Sequence, residues 1–554
     1  MRCTRCTGLR WPACLGALAL VACLPTGDAP AGRHVIADRT LSAVQFSPTE
    51  QEGVPSYLLV SGPVYTEAVP DGGVASPGAM TVRDLYEVPE GDPAHSPMTL
   101  AAARPVVRGR PELAGTRKGE PQGEAVLADS LGRLVVIHRR PNNSDPTAFQ
   151  LSRVDLASHK LVPLTSFALN ASSSPRLSLS PWRTRAVLAT PNLEVFELEN
   201  QRAWIEVNCS WLFWDEDLYY STYNVARQRF EVGRLQPHGR PEVLAAAEMV
   251  TPFALGPSEA NADLEMRILL KREPDAFLVL DPKSGRQTDL SVSPKDVAVS
   301  PSGRWMSGTI HDAASNQDLL AVWDWATSEV WTLSGWPSSA ILTSVWRPGH
   351  DELWTGTRDG RLVIWTPPDQ VRLIDAGFYA LSGDGQFWFS GESREPDWDQ
   401  IYVGLADVPE GPRYPMNPPG THGLALPRTA GQRVVMELWL DDEGSRFDFA
   451  VVEPATGQAR GLAVKGLLLA LSPARALVFA DWDLGREAGR LALFDLATGQ
   501  ETVLAEEVYA AAVDPGLHGL QPAADPLAPG TRVAFLVRHR FASPYDGLWV
   551  TELP

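Results

Sequence analysis

At 554 residues the chain is too long for one ordinary core, and its 44% hydrophobic and 21% charged residues exclude a disordered chain. A formal charge of −19, with no basic run beyond short clusters such as Arg139-Arg140, argues against a nucleic-acid binder. The 47 prolines and 45 glycines fit many short strands joined by tight turns.

The chain opens with three arginines, Arg2, Arg5 and Arg10, followed by an apolar stretch over 11–22. This is the charged start and short apolar middle of a secretory signal, and it falls short of the roughly 20 apolar residues of a membrane-spanning helix. Leu20-Val21-Ala22-Cys23 resembles the lipobox of bacterial lipoproteins. The resemblance implies cleavage after residue 22 and a diacylglycerol on the Cys23 thiol, anchoring the protein to a membrane. The following residue is Leu24 rather than Asp, which by the same resemblance favours the outer membrane of the cell envelope. The competing reading is an ordinary signal peptide with a chance cysteine. Of the five cysteines, Cys3, Cys6 and Cys14 fall in the signal and Cys23 at its boundary, so Cys209 alone is left and no internal disulfide is expected. Residues 24–34, rich in Pro, Gly and Ala, read as a flexible tether.

The body repeats. One unit runs Val297-Ala298-Val299-Ser300-Pro301-Ser302-Gly303-Arg304-Trp305 and continues through Ala321-Val322-Trp323-Asp324. Another runs Leu469-Ala470-Leu471-Ser472-Pro473 and continues through Leu493-Phe494-Asp495-Leu496-Ala497-Thr498-Gly499. A third opens Ala380-Leu381-Ser382-Gly383-Asp384-Gly385. In each, an apolar strand ends in Ser-Pro or Ser-Gly and a second strand follows at once. A polar loop leads to a third strand, which in the clearest units ends in a tight Asp turn before a fourth, more polar strand. Four short antiparallel strands at a period of roughly 40 to 45 residues describe a β-propeller blade. These residues resemble the WD40-like and TolB-like propeller families, with Trp323-Asp324 matching the WD dipeptide. The Gly-His element of true WD40 repeats is missing from most units, so their buried hydrogen-bond network does not carry over.

The expected fold is therefore all-β. About eleven units are discernible, more than one ring usually holds, so two propellers of four-stranded antiparallel blades are expected. The expected divisions are a signal peptide over 1–22, a tether and ring-closing strand over 23–40, a first propeller over 41–250 and a second over 251–554. Residues 547–554 read as a third strand whose missing fourth partner is supplied by 34–40, near the amino end.

Several loops between second and third strands are acidic and carry Trp. A candidate binding rim comprises Asp312, Asp397, Trp398, Asp399, Asp441, Asp442, Asp481, Trp482 and Asp483. Such a rim would meet a cationic partner, a glycan or calcium. The blander reading is a solvated surface whose Trp residues pack between blades. No segment has the full spacing of a calcium loop, no Gly-x-Ser-x-Gly elbow or His-Glu-x-x-His occurs, and no catalytic residue or cofactor is assigned. Trp211, Trp214, Tyr219 and Tyr220 read as blade core, and Cys209 as a small buried residue. The function expected is a non-catalytic, protein-binding or scaffold lipoprotein with an envelope protein partner. The alternatives are a propeller hydrolase or lyase acting on envelope or extracellular polymers, and a purely structural spacer.

Overall fold

The computed structural model describes residues 29–554 apart from connecting segments. Residues 1–28 lie outside it, as do 48–55, 70–77, 90–96, 112–126, 170–175, 256–264, 417–427, 440–446, 515–524 and shorter gaps of one to four residues. The described chain is all-β, in ten antiparallel sheets, most of them four-stranded and built from strands consecutive in sequence. Its helical content is two short 3-10 turns, and among the described residues no helix is long and apolar enough to cross a membrane.

The sheet spanning 295–337 shows the common plan. Lys295–Val299 pairs with Trp305–Asp312, which pairs with Gln317–Asp324, which pairs with Glu329–Pro337. Ser300 makes the first turn. Its N–H donates to Trp305 O at 2.8 Å, and its Oγ accepts from the Trp305 N–H at 3.2 Å. Gly303, at φ +74°, supplies the left-handed position the turn requires. Ser180, Ser382 and Ser472 repeat the arrangement, each accepting a backbone N–H three to five residues on. All four serines are nearly or fully buried, so the hydroxyl satisfies a donor that water cannot reach.

The Asp turn after the third strand has an equally local cause. Asp495 Oδ1 accepts from the N–H groups of Ala497 and Thr498 and from Thr498 Oγ1, at 2.7–3.0 Å. These bonds, led by that from the Thr498 backbone, hold its carboxyl below the usual range. Asp155 is lowered in the same way, chiefly by the Ser158 hydroxyl.

This alternation sets the first-to-second and third-to-fourth turns at one end of each sheet and the second-to-third hairpins at the other. Turn ends meet turn ends. Ser302 Oγ donates to Asp351 Oδ2 of the next sheet at 2.6 Å, Arg347 Nε to Gly385 O at 3.0 Å, and Ser56 Oγ to Asp514 Oδ1 at 2.8 Å. The sheets thus present a common turn face and a common hairpin face.

Apolar clusters bind most sheets to the next. Trp305, Val322, Leu353, Val363 and Trp365 join the sheet of 295–337 to that of 341–374. Ala430, Val435, Phe449, Val478 and Phe494 join the sheet of 428–463 to its successor. A second device recurs at the turn face: a guanidinium donates to a backbone carbonyl at the end of the third strand of the next four-strand unit. Arg185 Nη1 reaches Leu235 O at 3.0 Å, Arg460 Nη1 reaches Ala497 O at 3.1 Å, Arg475 Nη1 reaches Pro554 O at 2.7 Å, and Arg153 bonds Leu198 O. A planar, permanently charged donor suits these carbonyls, of which Leu235 O is buried and Ala497 O and Pro554 O are exposed.

The termini meet. The sheet order runs from Leu467–Leu471 through the long strand Glu501–Val513 to Gly547–Glu552 and then Arg33–Ile36. Glu501–Val513 serves as fourth strand of one unit and first strand of the next. Arg33–Ile36 pairs antiparallel with Gly547–Glu552, occupying the fourth-strand position, while residues 37–40 leave it. Its other edge is covered, because Met98 N–H donates to Val35 O and Ala37 N–H to Met98 O. His34 stacks on Trp549, centroids 4.5 Å apart. Ile36 is fully buried in a cluster with Val44, Phe46 and Val60 of the first sheet and Ala534, Leu536 and Leu548 of the last. The first sheet therefore shares its core with the last. The expected division near 250 falls between Glu242–Ala247 and Met249–Leu255, whose sheets share a cluster of Tyr219, Val232, Ile268 and Leu278.

Candidate binding rim

The four acidic segments occupy equivalent places. Each joins the second and third strands of its sheet: Trp305–Asp312 to Gln317–Asp324, Phe387–Arg394 to Trp398–Leu405, Arg433–Trp439 to Phe447–Glu453, and Arg475–Asp483 to Ala488–Asp495. The strand ends that flank them lie at the hairpin face.

Their side chains differ in what they offer. Asp312 is half-buried and accepts the Ala314 N–H at 3.1 Å, while His311 Nδ1 lies 3.0 Å from Asp318 across the hairpin. Asp481, exposed and at φ +53°, pairs with Arg490 at 3.1 Å. Asp483 folds its own hairpin by accepting Gly485 N–H at 2.9 Å and Arg486 N–H at 3.3 Å. Burial raises the Glu506 carboxyl nearby. The described rim acids are thus engaged by Arg or by backbone N–H groups. Asp397, Asp441 and Asp442 lie outside the described residues; Trp398 and Asp399 open a strand, but their side chains lie outside the description.

Trp482 does not belong to the rim. It is 2% exposed and packs edge-on against Phe479, centroids 5.1 Å apart, in the cluster with Leu491 and Val508. A register shift between Ala480 and Asp483 turns the two acids outward and the indole inward. The blander reading holds for this residue, as it does for Tyr219 and Tyr220, at 3% and 5% exposure. Among the described residues no group of three or more His, Cys, Asp or Glu is placed to hold a metal ion.

Sequence reasoning missed the rim's apolar tips. Phe541 is 63% exposed in the hairpin after Arg532–Val537, with Arg540 over its ring at 5.7 Å. Val225 is 78% exposed in the hairpin after Asp217–Asn224. An apolar residue inside a polar second-to-third loop was the available signal.

The sheet of 127–168 encloses a polar network. His138 Nδ1 lies 2.7 Å from Arg139 O and Nε2 lies 3.0 Å from Ser152 Oγ. A carbonyl only accepts, so Nδ1 carries the proton and Nε2 accepts from the Ser152 hydroxyl. Gln150 Nε2 donates to the same hydroxyl oxygen at 2.8 Å. Burial drives the imidazole down to about 4. The pair has the elements of a nucleophile and base, but Ser152 is fully buried, so it serves packing. Cys209 opens the strand Cys209–Trp214, its side chain outside the description. Cys23 lies outside the described residues altogether.

No family model and no curated protein matches the chain. Solved structures do. A puromycin-hydrolyzing peptidase of Mycobacterium tuberculosis is 14% identical, covering 59% of this chain and 57% of its own, with a TM-score of 0.29. The β-propeller domain of the Trilobed protease from Pyrococcus furiosus is 9% identical over 65% and 92%, TM-score 0.26. TolB from Acinetobacter baumannii is 11% identical over 60% and 79%, TM-score 0.22. The chain spans little more than half the length of the peptidase. At these TM-scores the likenesses carry no argument about what this chain does.

Proposed function

We propose that this chain is a lipid-anchored envelope protein, tethered through Cys23, that works as a non-catalytic β-propeller scaffold binding a protein partner at its hairpin face. The observation that carries the binding role is the hairpin face itself. Connections of different length and chemistry, with Phe541 and Val225 protruding, stand on a rigid array of sheets. Variable loops on a rigid frame suit recognition. Support for the anchor is the charged start, the short apolar stretch and the lipobox-like residues at 20–23. The outer membrane is the proposed location, on the strength of Leu24. Closed rings are part of the proposal, supported by the pairing of Arg33–Ile36 with Gly547–Glu552. So is a division into two rings near residue 250, which rests on the count of about eleven units in the sequence.

The test is a pull-down from envelope membranes with the full chain, a Cys23→Ala control and a Phe541→Ser variant. The scaffold reading expects one protein recovered stoichiometrically, less of it with Phe541→Ser and less from membranes with Cys23→Ala. Turnover of an envelope polymer with no protein recovered would replace it with the enzyme reading.

A further inference from the structure

The topology fixes where the amino-terminal segment joins the folded body. Arg33 sits opposite Val550 and Ile36 opposite Leu548, so Arg33–Ile36 runs from the turn face toward the hairpin face. Ala31 and Gly32 stand at its entry. Ala31 N–H donates to Leu504 O at 2.7 Å, and a Cβ on Gly32, at φ +103°, would lie 2.4 Å from Val550 O. The chain therefore enters the body at its turn face, opposite the acidic hairpins.

The distances decide which face a membrane would meet. Cys23 and Ala31 are eight residues apart in sequence, a reach of at most about 28 Å. Crossing from the turn face to the hairpin face means traversing strands such as Trp305–Asp312, which has 8 residues and spans about 26 Å, plus the hairpin beyond. A tether of that length cannot bring the hairpin face to the surface that holds Cys23 without lying fully stretched along the sheet wall. The turn face is within reach at no cost in stretch.

The same face carries apolar tips of its own. Leu131, in the turn before Leu134–Arg139, is 51% exposed, and Trp182, in the turn before Arg185–Ala189, is 55% exposed. They lie on adjacent sheets joined at their turn ends by Arg153 and Leu198 O. Arg183 follows Trp182 directly, whereas Arg133 is held by Asp129 at 2.7 Å. Tryptophan beside a cation is the chemistry that settles at the headgroup level of a bilayer.

We infer that the turn face is the membrane-apposed face, with Leu131 and Trp182 entering the headgroup layer and the hairpin face presented away from the lipid. This rests on the Cys23 anchor proposed above.

The test uses the full chain, expressed and lipidated, in a Cys209→Ser background. Single cysteines replace exposed residues at the turn face (Ser158 or Ala474) or the hairpin face (Ala314 or Ala542) and carry an environment-sensitive dye. The protein is held on phosphatidylcholine–phosphatidylglycerol vesicles containing a headgroup spin-labelled lipid. Quenching at least threefold stronger at Ser158 and Ala474 than at Ala314 and Ala542 is expected, and a Leu131→Ser/Trp182→Ser variant should lose most of that difference. Equal quenching at both faces, or stronger quenching at the hairpin face, overturns the orientation. A difference untouched by the double variant overturns the part given to the two side chains. Flotation against Cys23→Ala reads the anchor separately: protein that floats but shows no turn-face quenching refutes the orientation alone, and protein that does not float refutes both.

Discussion

Replacing Gly547 with alanine should release the amino-terminal strand while leaving the rest of the sheets in place. Gly547 sits at φ +127°, a conformation that L side chains rarely adopt, and a Cβ there would stand 1.9 Å from Ile36 O and 2.8 Å from Asp38 N. A carbon–oxygen contact needs about 3.3 Å, so the two strands must separate by about 1.4 Å. Both obstructing atoms are backbone and cannot rotate away. That displacement breaks the three pairings of Arg33–Ile36 with Gly547–Glu552 and withdraws Val35 and Ile36, now 5% and 0% exposed, from the core. Burying two such side chains is worth about 3–6 kcal/mol, the upper bound on what the substitution removes. Backbone strain of about 1–3 kcal/mol acts in the same direction. Hydrogen exchange read by mass spectrometry separates the two effects. Amides of 33–37 and 547–552 should lose protection in Gly547→Ala, while those of the sheet of 341–374 keep it. Unchanged protection at 33–37 would refute the reasoning, because it would mean that the close approach of the two strands is not what holds them.

Three further outcomes follow from other contacts. His138 sits near 4 in the fold against 6.5 unfolded, so the unfolded chain binds the extra proton between those values. Stability should be complete above pH 6.5 and fall by up to about 3 kcal/mol as pH drops to 4; His138→Gln should flatten that segment of a urea-midpoint profile. Arg185, 1% exposed and bonded to Leu235 O with Glu197 at 3.6 Å, should cost about 3–5 kcal/mol as Arg185→Ala, with Arg185→Met milder, by denaturant titration. Trp482→Ala should cost about 3–5 kcal/mol and lower partner recovery only as far as folding falls, whereas Asp483→Ala should leave the melting temperature within about 2 °C. Partner loss in Trp482→Ala at full stability would return that indole to the rim.

The strand plan was legible because its causes are local. A serine that accepts its neighbours' N–H groups, a glycine at positive φ and an Asp that ties three donors are each contained within six residues, as at 300–305 and 495–499. The inward place of Trp482 was not legible, because a register shift between Ala480 and Asp483 puts the indole on the face of Phe479, where strict alternation would put Asp481. An acidic loop with a tryptophan resembles a recognition surface more than a core edge. The arginines that reach into the next sheet were not legible. Arg185 and Leu235 are 50 residues apart, and no spacing rule links a guanidinium to a carbonyl in a different repeat. The same holds for Met98, whose pairing with Val35 is a contact between irregular backbone and an end strand.

The meeting of Arg33–Ile36 with Gly547–Glu552 also imposes an order on assembly. His34 and Asp546 are 512 residues apart. The ribosome makes one half of this junction 512 residues before the other. At about 5–20 residues per second, the first strand waits on the order of half a minute to two minutes for its partner. Intermediate sheets can pack during that time, since most share a core with a neighbour, but Ile36 stays without its partner strand until residues 547–552 are made. Chaperone binding should therefore concentrate around residues 33–36, and a premature stop anywhere before residue 547 leaves that segment with nowhere to dock.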